Sequence, residues 1–154
     1  MSEDCLTINV FRPGGTSSRA KLPVMVWVYG GALMSGDSVS YNPTGILLES
    51  VKKVSLHSLN MIQCVMFRGL RSIIYDQTFP VIYVSFNYRL NSFGFTASSI
   101  IEEAAASGKA SLNAGLYDMQ SALLWVQRNI GAFGGDKNKV TGIPSFIYSH
   151  RATY

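Results

Sequence analysis

Val24-Met25-Val26-Trp27-Val28-Tyr29, running directly into Gly30-Gly31-Ala32, is the stretch that decides how this chain folds. A short, wholly apolar run closed by a glycine pair reads as a strand buried on both faces, as in a parallel sheet. Residues 81–88, from Val81 to Tyr88, repeat the pattern. Residues 5–11 instead alternate apolar and polar, with Leu6, Ile8 and Val10 set against Cys5, Thr7 and Asn9, as in a half-buried strand. A further strand begins at Lys139-Val140-Thr141 and is expected to stop at Gly142 and Pro144. Helical patterns fall between these runs. A short helix is expected over 46–51, and Ser99 with Glu102 has capping-box spacing ahead of a stop at Gly108. From Asn113 to Ile130, the residues Leu116, Met119, Leu123, Val126 and Ile130 recur at helical intervals and predict one apolar stripe. Strands alternating with helices predict an α/β fold with a mainly parallel sheet and flanking helices.

The chain has 154 residues, enough for one domain with a real core. It is 47% hydrophobic and 14% charged, far too apolar for a disordered tail. No apolar run reaches the roughly 18 residues of a membrane-spanning helix, so no integral membrane segment is expected. Met1-Ser2-Glu3-Asp4 is acidic where a signal peptide would be basic, so no signal peptide is expected in this chain. Cys5 and Cys64 make neither a disulfide framework nor a metal site, and no metal or cofactor is expected. The net charge of +4 is confined to two segments: residues 52–79 carry +3 and residues 142–154 carry +1. The remainder sums to zero, which argues against a nucleic-acid partner.

Chemistry is suggested first by Gly30-Gly31-Ala32. Acyl transfer needs backbone N–H donors fixed toward a developing oxyanion, and small residues at a strand end can supply them. The surrounding residues then carry a resemblance. Glu3-Asp4-Cys5-Leu6, the segment Pro23 to Ala32, Asn87-Tyr88-Arg89-Leu90 with Phe93-Gly94-Phe95, and Asn113-Ala114-Gly115-Leu116-Tyr117-Asp118 through Phe133-Gly134-Gly135-Asp136 stand in that order. Together they resemble the type-B carboxylesterase and cholinesterase-like family, and most of all its extracellular fungal lipases and esterases. The likeness covers residues 1–51 and 80–141.

That resemblance implies a partial α/β-hydrolase fold and a carboxylic ester hydrolase acting through a Ser-Glu/Asp-His triad. It implies a small-molecule or lipid ester as substrate and an extracellular location. Oxyanion-hole donors would fall on the N–H groups of Gly31 and Ala32, with Gly30 in the same loop. Arg89 and Asp118 would form a structural ion pair, and Cys5 would pair with a cysteine upstream.

The pattern then breaks. In the family the strand through Val140-Thr141 leads into a Gly-x-Ser-x-Gly elbow. Here it reads Gly142-Ile143-Pro144-Ser145-Phe146, and no serine of the chain has that setting. Nucleophile, triad acid and triad histidine are all unassigned, and His150 reads as a tail residue. Residues 52–79 interrupt the likeness where the family needs only a handful of residues. With Lys52, Lys53, Arg68 and Arg71 they could form the basic edge of an amphipathic helix, but their apolar residues keep no helical period. Both 52–79 and 142–154 read as sequence foreign to the scaffold, of the kind that translated non-coding sequence would supply. The expectation is an inactive portion of an ester hydrolase domain lacking the elbow strand, with the strand at 24–29 left at an open edge and prone to self-association or aggregation. A non-catalytic cholinesterase-like interaction module is the alternative.

Overall fold

A computed structural model describes residues 4–51 and 80–145. Its strands are β1 (Ile8–Phe11), β2 (Leu22–Val28), β3 (Ile82–Phe86) and β4 (Gly135–Pro144), in the sheet order β1-β3-β2-β4. β2 runs parallel to both its neighbours, with Val24 opposite Ile82 on one side and Val140 on the other. β1 lies antiparallel to β3, Ile8 opposite Phe86, so the sheet is mixed. The helices are α1 (Thr44–Val51), α2 (Asn91–Phe95), α3 (Ser99–Ala106) and α4 (Ala114–Asn129), and a 3-10 turn over Ile130–Phe133 continues α4. The α/β architecture expected from the sequence, a partial hydrolase-type sheet with flanking helices, is present.

The apolar run makes β2 the centre of the core because both pleat faces are covered. On the Val24 side, Ile130 and Val24 close around Gly135, where a methyl would lie 2.7 and 2.8 Å from their side chains. On the opposite side the Trp27 ring stands 5.2 Å from that of Tyr41, just ahead of α1. β3 is buried along its whole length. The polar Ser85 fits there because its hydroxyl donates to the Ser38 carbonyl and accepts from Asn9 Nδ2, both at 3.4 Å.

Several expectations are corrected. β4 does not stop at Gly142: it continues to Pro144, with Trp27 opposite Ile143 and Val28 opposite Pro144. The place beside β2 that was expected to lack its strand is therefore filled, and β2 is not an open edge. Among the described strands β4 is one of the two outer ones, where a proline without an N–H is tolerated. Its register slips between Leu22 and Val24, and Lys137 and Lys139 are exposed. Both features discourage edge-to-edge pairing.

The stripe on α4 is also rotated. Val126 and Ile130 are buried, but Leu116 and Leu123 are 50% and 41% exposed. The buried face instead holds Ala114, Gly115, Asp118 and Val126. Gly115 packs so tightly on the Arg89 carbonyl and the Phe95 ring that a side chain there would overlap them. The helix thus approaches its neighbours on its smallest residues, which turns the leucines outward. α3 is capped one residue earlier than expected, by Ser98, whose hydroxyl accepts from the Ile101 N–H at 3.3 Å. The expectations for 52–79, including Cys64, and for 146–154, including His150, lie outside the described residues.

Candidate functional site

The C-terminal end of β2 delivers Gly30, Gly31 and Ala32 to the surface from a strand that is otherwise core. Tyr29 is 1% exposed, whereas Gly31 and Ala32 are open to solvent. The backbone turns at once into the left-handed region, with φ of +131° at Gly31, +55° at Ala32 and +62° at Leu33. At Gly31 only glycine serves, because a methyl would overlap the Ser35 carbonyl oxygen. At Ala32 and Leu33 the same hand of turn is strained, on the order of 1–3 kcal/mol each. The Gly31 carbonyl accepts from the N–H groups of Met34 (2.9 Å) and Ser35 (3.2 Å). Among the described residues, nothing accepts a hydrogen bond from the N–H of Gly31, Ala32 or Leu33. Successive unengaged amides in a left-handed turn form a concavity suited to negative charge.

β4 ends beside the same turn. A methyl on Gly30 would lie 3.0 Å from the Ser145 carbonyl oxygen and 3.2 Å from its Oγ. A serine hydroxyl therefore stands next to the loop, although sequence reading gave Ser145 no role. The signal was slight: parallel neighbours end at one edge of a sheet, and Ser145 follows the last residue of β4 directly. No histidine is among the described residues. Nor does any group of three or more His, Cys, Asp or Glu among them have metal-binding geometry.

Behind the turn stands the segment after β3. Arg89 is held by Asp118: its Nε donates to Oδ2 at 2.7 Å, its Nη2 to Oδ1 at 2.7 Å, and its backbone N–H to Oδ2 at 3.0 Å. The Asp118 side chain is 7% exposed and that of Arg89 43%. Burial alone would raise the Asp118 carboxyl, but the hydrogen bonds from Arg89 and its charge bring it below the ordinary value. Asn87 accepts from the Ser38 N–H at 2.9 Å and donates to the Cys5 carbonyl at 3.0 Å. It thereby joins the N-terminal segment to the loop following the turn. Tyr88 stacks on Tyr29 with ring centroids 4.5 Å apart, and its hydroxyl donates to the Tyr29 carbonyl at 2.7 Å. Neither tyrosine was singled out from the sequence, where Asn87-Tyr88-Arg89 drew attention to its arginine alone.

The model of the carboxylesterase family matches residues 1–143. Lipase 1 of Geotrichum candidum is 41% identical over 140 residues, covering 91% of this chain and 20% of the lipase. The inactive carboxylesterase-like protein VdtD of Byssochlamys spectabilis is 37% identical over 143 residues, 92% of this chain and 20% of that one. Lipases of Gibberella zeae that are named as secreted match as well. Among solved structures, EstA of Aspergillus niger is similar with a TM-score of 0.65 at 31% identity, over 93% of this chain and 22% of the esterase. The chain thus spans about one fifth of the length of these relatives. It belongs to the carboxylesterase family.

Proposed function

We propose that this chain supplies the oxyanion-stabilising turn of a carboxylic ester hydrolase scaffold, with the N–H groups of Gly31 and Ala32 as donors. Gly30 is the residue that lets the end of β4 close against that turn. The observation that carries the reading is the pair of unengaged amides in a strained left-handed turn at the C-terminal end of a central parallel strand. Donors preorganised in this way stabilise charge that develops on a carbonyl oxygen during acyl transfer. The Arg89–Asp118 pair does no chemistry in this reading and fastens α4 to the segment behind the turn. The substrate class is a small-molecule or lipid ester, no cofactor is called for, and the location is extracellular, as the secreted relatives suggest. In the same reading 1–154 form one partial ester hydrolase domain, in which 52–79 are an insertion and 142–154 a stretch unlike the family in sequence, although β4 runs through its first residues.

By itself the 154-residue chain is proposed to be inactive, because no serine in it sits in a Gly-x-Ser-x-Gly elbow. The purified chain should hydrolyse nitrophenyl butyrate no faster than buffer does. Saturable hydrolysis that survives repurification would sink the claim of inactivity. A second reading, a non-catalytic interaction module on the same scaffold, is favoured by the likeness to an inactive carboxylesterase-like protein. The two readings part at Gly31 and Ala32. An oxyanion-stabilising turn responds there to a tetrahedral anion, and an interaction module has no reason to.

A further inference from the structure

A turn with two non-glycine residues in the left-handed region persists only where its surroundings fix it. Two hydrogen bonds tie this one to the segment after β3. Tyr88 Oη donates to the Tyr29 carbonyl, in the peptide that joins Tyr29 to Gly30, at 2.7 Å, and the Asn91 N–H donates to the Leu33 carbonyl at 2.7 Å. The Tyr29 hydroxyl in turn donates to the Tyr88 carbonyl at 3.3 Å, away from the turn. The Tyr29 ring also walls the far limb of the loop, where a methyl on Gly36 would lie 2.6 Å from it. The anchoring segment is itself immobilised through Arg89 on Asp118, in the buried face of α4. A continuous path therefore runs from α4 through Asp118, Arg89 and Tyr88 to the peptide just ahead of the candidate donors.

We infer that Tyr88 is a positioning residue for the Gly31 and Ala32 amides: its hydroxyl holds the plane of the Tyr29–Gly30 peptide, and so the direction in which the following N–H groups point. A peptide is a rigid plane, so rotating this one would swing the turn that follows it. Burial pushes the Tyr88 phenol up to about 12, with Tyr29 and Tyr41 adding to the effect, so the donor keeps its proton at any ordinary pH. The inference rests on the oxyanion reading of the turn.

The test is an NMR titration of the 15N-labelled 154-residue chain with butylphosphonate, a tetrahedral anion. In the unaltered chain the Gly31 and Ala32 amide signals should shift saturably. Tyr88→Phe keeps ring and stack and removes only the donor, and it should weaken that response about fivefold, the worth of one ordinary hydrogen bond. Tyr29→Phe removes the hydroxyl that serves Tyr88 rather than the turn, and it should leave the response within about twofold of the unaltered chain. An undiminished response in Tyr88→Phe would overturn the positioning role. So would an equal loss in both variants, since packing of the tyrosine pair would then explain it. Signals of Val126 and Ile130 report whether the fold is kept, and if Tyr88→Phe abolished them the role would be in folding and the inference would fall. No response in the unaltered chain would remove the oxyanion reading and, with it, this inference.

Discussion

β2 and β4 lie side by side, parallel and hydrogen-bonded along one ladder, yet they are very different strands. Six of the seven residues of β2 are buried, whereas of the ten in β4 only Gly135 is. Backbone pairing alone suffices to make a strand; burial on both faces is what gives one its apolar composition. The sharpest way to break the comparison is to truncate one side chain in each. Met25, 2% exposed and opposite Thr141, should cost about 2–5 kcal/mol as Met25→Ala. Ile143, half-buried and opposite Trp27, should cost about 1 kcal/mol as Ile143→Ala, since part of its surface is already in water. Urea unfolding at unchanged slope reads both losses, and equal losses would show that β4 is as much core as β2.

The same contrast explains what was legible in the sequence. Val24 to Tyr29 and Val81 to Tyr88 announced themselves because two-faced burial leaves little room for polar residues, apart from Ser85 and Asn87, both of which are hydrogen-bonded. β4 was cut short because Gly142 and Pro144 are strand breakers in isolation, and their tolerance depends on an edge position that only the assembled sheet reveals. α4 was legible as a helix from its spacing. Its buried face was not, because Gly115 and Asp118 are inward for reasons that lie in Arg89 and Phe95, far away in the chain. At the site, Gly30-Gly31-Ala32 was readable as a turn carrying backbone donors. The approach of Ser145 to Gly30 and the grip of Tyr88 on Tyr29 are products of strands ending together, and no local pattern encodes them.

The comparison can also be sharpened by asking whether polar burial counts as apolar burial does. Asp118 is 9% exposed, close to the burial of β2, but it is held by hydrogen bonds and charge rather than by packing. Asp118→Ala should cost about 2 kcal/mol, limited because the freed Arg89 guanidinium can still reach water. The folded carboxyl lies below its ordinary value, so its contribution is present in full above the unfolded value of about 3.9 and is lost as pH falls through the folded one. The difference between the unaltered chain and Asp118→Ala should therefore hold near neutrality and shrink below about pH 4. A difference that stays constant into strong acid would mean that side-chain volume, not the ion pair, is what the substitution removed.

The smallest expected effect tests the one place where β2 and β4 meet at the candidate site. Gly30→Ala puts a methyl 3.0 Å from the Ser145 carbonyl oxygen, closer than contacts normally allow, so one strand end must give way. The cost should be about 1 kcal/mol, and the amide signals of Ser145 and Gly31 should move together. Gly45, in the first turn of α1, has nothing within 4 Å of the same added methyl. Gly45→Ala should leave those signals still and raise stability by a few tenths of a kcal/mol to about 1, since alanine loses less backbone freedom than glycine on entering a helix. Were Gly30→Ala as harmless as Gly45→Ala, the end of β4 would not lie against the turn. Ser145 would then be no neighbour of Gly31 and Ala32, and the two strands would share a ladder without sharing a site.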